Sequence, residues 1–227
     1  MAGLYEDRYV KYKISHAFGR GIVSGCLKIG IMGGTFDPVH NAHLFIAETV
    51  REAFSLDKVL FIPVGDPPHK RVNRLAPGED RVNMLREAVR SNPWFQVDDM
   101  EIKRQGITYT IDTLKELKAR YPGYDLCYII GGDTLLDLKN WRDFMNVARL
   151  CSFIVYRRPG YEDQEINSVA DRLAREYQAD IAFVEGPGLD ISSRYIKSRL
   201  YSNQTIRYLV PEAVYEYIKK RKLYKGV

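Results

Sequence analysis

Between Lys28 and Arg221, short apolar runs alternate with stretches of helical period, and this alternation restricts the fold of the 227-residue chain more than any other property. The runs Lys28–Met32, Lys58–Val64, Phe95–Lys103, Leu126–Ile130, Ser152–Tyr156 and Ile181–Val184 predict strands. Helices are predicted over Asn41–Phe54, Glu79–Asn92, Tyr109–Arg120, Ile166–Tyr177, Ser193–Tyr201 and Pro211–Arg221, with short helices across Thr134–Ala148. Strands separated by helices can lie parallel only when the helices cross over the sheet. The expected architecture is therefore α/β, a doubly wound and mostly parallel sheet with helices on both faces. Such sheets bind ligands at the carboxyl ends of their strands. The motifs described below nearly all fall just after predicted strands.

The remaining bulk properties narrow the class. Hydrophobic residues make up 45% of the chain, enough for a substantial core. No run reaches the roughly 18 apolar residues of a membrane span, and no secretory h-region opens the chain. Cys26, Cys127 and Cys151 form no CxxC pair, and the last two lie in or beside apolar runs, so buried thiols in a reducing cytoplasm are expected. The net charge of +5 suggests a polyanion at first sight, but residues 29–214 carry a net −2 and the basic excess lies at the two ends. Nucleic acid is therefore not expected as a partner. Residues 1–27 lack a clear period and read as an extension, either a flexible arm or an upstream start. The recognisable domain spans 28–227, and no catalytic residue is expected before it.

Residues 33–43, Gly-Gly-Thr-Phe-Asp-Pro-Val-His-Asn-Ala-His, join the first long strand to the first helix. Glycines let backbone N–H groups approach a ligand. His40 and His43 are three apart, so a helical first turn puts them on one face. A helix start also offers unpaired N–H groups and the positive end of a dipole. Together these features suit a phosphate held by imidazoles and backbone amides. A zinc site would need a third ligand that the neighbouring sequence does not supply. Asp66-Pro-Pro-His69-Lys70 follows the second strand, a loop stiffened by prolines that carries two donor groups. Arg104-Gln-Gly-Ile-Thr108-Tyr109-Thr110 leads into a helix that Thr108 or Thr110 could cap. Ile129-Ile-Gly-Gly-Asp133 ends a strand in a carboxylate, and Trp141 follows with an indole fit to stack on a flat ring. Ile191-Ser192-Ser193-Arg194-Tyr-Ile-Lys197 opens a helix with two hydroxyls and two cations.

The 33–43 segment resembles the Gly-x-Phe-Asp-x-x-His-x-Gly-His signature of the nucleotidylyltransferase superfamily. The order of the five motifs is most similar to bacterial nicotinate-nucleotide adenylyltransferases, over about residues 28–223. The resemblance implies a Rossmann-like fold and adenylyl transfer from Mg²⁺-bound ATP to nicotinate mononucleotide, in NAD biosynthesis. It implies that His40, His43 and Lys70 serve the transfer, and that Gly33, Gly34, Thr35, Phe36, Ser192, Ser193, Arg194 and Lys197 bind ATP. It assigns Asp37, Thr108, Tyr109, Thr110, Asp133 and Trp141 to the mononucleotide, with Trp141 flanking the pyridine ring, and no metal held by protein ligands alone. Arg81, Met84 and Arg157-Arg158 are further candidates, with a solvated face the simpler reading of Arg81. The sequence departs from the family pattern at Ala42, usually Gly, at Arg194, usually Thr, and at Lys197, usually Arg. Lys keeps the charge of Arg but loses its planar fork.

Two rivals stand beside this expectation. A sister adenylyltransferase would take nicotinamide mononucleotide or a pantetheine phosphate; Trp141 argues against pantetheine, which offers no ring to stack. A catalytically idle nucleotide-binding module would have less need of both histidines. A homo-oligomer is compatible with the sequence and is not dictated by it.

Overall fold

The computed structural model describes residues 14–16, 27–65, 75–104, 106–157 and 164–224. Seven strands form one sheet: β1 (Ile14–His16), β2 (Leu27–Gly34), β3 (Lys58–Pro63), β4 (Phe95–Val97), β5 (Tyr124–Gly131), β6 (Ser152–Arg157) and β7 (Ile181–Glu185). Their order is β1-β7-β6-β5-β2-β3-β4. From β7 to β4 every neighbouring pair is parallel, and β1 joins β7 antiparallel. The chain winds outward one way through β2, β3 and β4, and the other way through β5, β6 and β7. The crevice between β2 and β5 is thus the topological switch point, where such sheets place their ligands.

Nine α-helices among the described residues cover the sheet: α1 (Asn41–Phe54), α2 (Gly78–Val89), α3 (Met100–Lys103), α4 (Thr110–Arg120), α5 (Gly132–Asp137), α6 (Phe144–Leu150), α7 (Gln164–Tyr177), α8 (Ser193–Tyr201) and α9 (Glu212–Arg221). A 3-10 turn, Leu138–Asn140, links α5 to the loop before α6. Strand residues alternate between two cores, as the pleat requires. Val59 and Phe61 of β3 and Cys127 and Ile129 of β5 face the core that holds Val50 of α1, Met84 of α2, Ile196 of α8 and Val214 of α9. Leu60, Ile62, Leu126 and Ile130 face the opposite core, with Leu114 of α4, Val147 of α6 and Leu173 of α7. Both Cys127 and Cys151 are buried thiols, and burial pushes Cys127 up to about 12. No helix among the described residues is long and apolar enough to cross a membrane.

Several expectations shift. The predicted strand Phe95–Lys103 stops at Val97 because the Asp98 carboxylate accepts the N–H of Met100 at 3.1 Å and turns the chain into α3. Local capping of this kind competes with the ladder. Helix α2 ends at Val89, short of Asn92. The 14–16 segment, which has no readable period, is an edge strand whose partners are Val184, Phe183 and Ala182. Its pairing comes from the free edge of β7 and not from its own pattern.

Candidate active site

Strand β2 ends in Gly33 and Gly34, and at Gly33 a side chain would collide with its neighbour. A Cβ built on Gly33 would lie 2.2 Å from the hydroxyl of Tyr128, on the neighbouring strand β5. After the glycines the backbone enters the left-handed region at Phe36, φ 47°. That conformation is strained for a residue with a side chain. It buries the Phe36 ring beneath Gly34 and against His43, with centroids 5.0 Å apart and the planes at 69°. Phe36 therefore supports the site from below.

Helix α1 starts at Asn41 with His40 as its N-cap, and the rings of His40 and His43 stack at 3.6 Å and 24°. The shared face expected from their spacing is present. The His40 N–H donates to Nδ1 of His43 at 3.2 Å. A neutral His43 then carries its proton on Nε2 and is a donor at that atom. Burial lowers His40 to about 4. Burial, followed by the neighbouring His40, lowers His43 well below the ordinary value. Both rings are neutral at pH 7. His40 Nδ1 is buried with no hydrogen-bond partner among the described residues.

Above these rings opens a cavity of about 760 Å³ at the carboxyl ends of β2, β5 and β6. Of the expected site residues, Gly33, Gly34, Thr35, His43, Thr110, Asp133 and Trp141 line it. Trp141 is held edge-on by Tyr128, centroids 5.4 Å apart, and by Phe153. Tyr128 and Tyr156 also line the cavity, and neither was singled out from sequence. The Tyr128 hydroxyl lies beside Thr110, and burial pushes it well above the ordinary tyrosine value, so it stays protonated. Tyr156 donates to the Pro187 carbonyl at 2.7 Å and so fixes the loop carrying Gly188 and Leu189, two further wall residues. The one available signal was a polar tip on a residue inside or ending an apolar run.

Most other expected residues lie outside the cavity lining. The Asp37 carboxylate is buried and accepts from Ala76 N–H, Tyr224 hydroxyl and Lys197 Nζ; it does not line the cavity. Lys197 is accordingly paired with Asp37 at 2.6 Å in this structure. Thr108 is buried and donates to Glu101, as does Thr113 at 2.7 Å. Tyr109 is the N-cap of α4 with no side-chain cap, and Arg142 stacks over its ring at 4.3 Å. Neither Thr108 nor Thr110 caps that helix, because Thr108 is engaged with Glu101 and Thr110 is already the first helical residue. Ser192 is the N-cap of α8 and accepts from Tyr195 N–H at 3.2 Å. Ser193 donates to the Pro38 carbonyl at 2.9 Å, and Arg194 is exposed on the first turn. Arg81 is not solvated: its guanidinium is buried and donates to the carbonyls of Thr35, Val64 and Ala76. Met84 is a core residue. Arg157 lines the cavity and bonds Asn167. His69, Lys70 and Arg158 lie outside the described residues.

Residues 31–199 match the cytidylyltransferase-like family model. A probable nicotinate-nucleotide adenylyltransferase of Desulfitobacterium hafniense is 44% identical over 198 residues, 87% of this chain and 96% of the relative. One from Clostridium acetobutylicum is 42% identical over 87% of this chain and 98% of its own length. The chain belongs to the nicotinate-nucleotide adenylyltransferase family. The fold agrees with a solved family structure, Plasmodium falciparum nicotinic acid mononucleotide adenylyltransferase complexed with NaAD, at 21% identity and TM-score 0.71 over 87% of this chain and 97% of that one. Among the described residues no cluster of three or more His, Cys, Asp or Glu side chains could hold a metal ion. In a family member of this kind the donor set suits phosphate oxygens: amides, imidazole N–H groups and hydroxyls around Gly33–His43.

Proposed function

We propose that this protein transfers the adenylyl group of ATP to the 5′-phosphate of nicotinate mononucleotide, forming nicotinate adenine dinucleotide and pyrophosphate. The observation that carries the reading is neutral His43, which lines one cavity with Gly33–Thr35, Thr110 and Trp141 while neutral His40 stacks against it from outside the lining. A phosphate nucleophile is already anionic at pH 7, so the protein need not supply a strong base. What it must supply is alignment and donors for the charge that develops. His43 Nε2–H and the amides of the Gly33–Thr35 segment are assigned to the α-phosphate.

The start of α8, with Arg194 and the Ser192 cap, is assigned to the β- and γ-phosphates, and Lys70 to the same charge. At the opposite end, Trp141 offers a face to the pyridine ring. The first turn of α4, which has no side-chain cap, offers the positive dipole end to the carboxylate. Asp133, exposed at the end of β5 and lining the cavity, is assigned to a ribose hydroxyl or to a metal-bound water. Mg²⁺ would arrive on the phosphates, shielding their charge, since that ion is commonly held by few carboxylates plus substrate oxygens. The buried thiols suit a cytoplasmic enzyme. His43→Ala tests the assignment: turnover should fall at least about 100-fold with the melting temperature retained, and surviving turnover would contradict it.

A further inference from the structure

Asp37 gathers donors from three distant parts of the chain. Its Oδ1 accepts the N–H of Ala76 at 3.1 Å and the hydroxyl of Tyr224 at 2.7 Å, while Oδ2 accepts Lys197 Nζ at 2.6 Å. The next residue, Pro38, takes the Ser193 hydroxyl on its carbonyl. The first two turns of α8 are therefore moored twice to the Asp37–Pro38 segment, by Ser193 and by Lys197. Tyr224 braces the same carboxylate from the turn after α9. It reaches that place because Lys222 and Tyr224 adopt left-handed conformations, φ 53° and 59°, which fold the chain back after the helix. Helix α9 is itself fastened to α2, where buried Asp80 accepts from Tyr217 and Arg221.

We infer that Tyr224 is a positioning residue for the polyphosphate of ATP, acting through Asp37 to fix Lys197 and the start of α8. The inference rests on the function proposed above. Tyr224 does not line the cavity, so it exerts its effect through the carboxylate. Losing the tyrosine hydroxyl leaves Oδ1 held by the Ala76 N–H alone, which loosens the carboxylate and with it the Lys197 mooring of α8. A phosphate held by amides at a helix start tolerates little displacement. The effect is confined to one substrate because the two ends of the cavity rest on opposite cores. Tyr224 packs with Ile196 of α8 on one face of the sheet. Tyr109 and Trp141 pack on the other.

The test is Tyr224→Phe, which keeps the ring and its packing and removes only the hydroxyl. KM for ATP should rise about 5-fold, the loss expected for one partly compensated bond to a charged group. KM for nicotinate mononucleotide and kcat should stay within about 2-fold, and the thermal midpoint should fall by no more than a few degrees, about what one lost hydrogen bond costs. An unchanged KM for ATP, or a rise in both KM values together, overturns the inference. If the unaltered protein shows no turnover at all, the adenylyl-transfer reading fails by itself. Calorimetric binding of a non-hydrolysable ATP analogue then decides the inference: weakening of about 5-fold supports it and equal binding refutes it.

Discussion

Replacing Gly33 with alanine drives a methyl group into Tyr128. The added Cβ would lie 2.2 Å from the Tyr128 hydroxyl, whereas ordinary contact begins at 3.4 Å. The hydroxyl must therefore retreat by roughly 1 Å, a shift that overpacked interiors resist. A tyrosine tip is cheap to move only when it is free. This one lies beside Thr110 and packs edge-on against Trp141 and near Phe153. Overpacking of this size costs about 1–3 kcal/mol, and disturbing the hydroxyl's polar contact adds about 1 kcal/mol. Urea denaturation of Gly33→Ala should thus show a loss of about 2–4 kcal/mol. Because Tyr128 and Trp141 share the cavity wall, KM for the mononucleotide should rise as well. Tyr128→Phe removes the offending oxygen, so the double variant should recover most of the loss, with a coupling energy of about 1–3 kcal/mol. Stability of Gly33→Ala within about 0.5 kcal/mol of the parent, or costs that simply add in the double variant, would refute the packing argument.

Stability should also fall in mild acid through His40. Burial lowers its folded value from 6.5 to about 4, so between those limits the unfolded chain binds more protons. The contribution is complete above pH 6.5 and is lost as pH falls towards 4, amounting to about 2 kcal/mol at pH 5. His40→Gln should lose correspondingly less than the parent between pH 7 and pH 5 in urea titrations, and an equal loss would count against the buried neutral pair. Arg81→Ala removes the buried group that ties Thr35, Val64 and Ala76 together. It should cost about 3–5 kcal/mol in the same assay, whereas a loss under about 1 kcal/mol would show the site loops to be held otherwise.

What the sequence reveals depends on how local the cause is. Helix α1 runs Asn41–Phe54 as its period and the His40 position indicate, and α8 runs Ser193–Tyr201 because Ser192 caps it. The switch-point crevice follows from strand–helix alternation, and the 33–43 segment falls at its mouth. Causes that act across the chain leave no such mark. Nothing in the neighbourhood of Asp37 announces that Tyr224, far along the chain, will donate to it. Arg81 reads as one more cation on a helix until three carbonyls converge on it. Thr108 looks like a helix cap, yet buried Glu101 claims its hydroxyl. Edge strand β1 owes its pairing to β7, and its own residues carry no strand period.

The central claim is that one cavity aligns ATP with an acidic pyridine mononucleotide, and pyrophosphate release tests it most directly. With ATP and Mg²⁺ present, nicotinate mononucleotide and nicotinamide mononucleotide are compared side by side on the unaltered protein. The account predicts a higher kcat/KM for the acid by at least about 10-fold, since the open first turn of α4 favours a carboxylate. Equal or reversed preference would contradict the assignment of Thr110 and Trp141, and no release with either substrate would contradict adenylyl transfer itself.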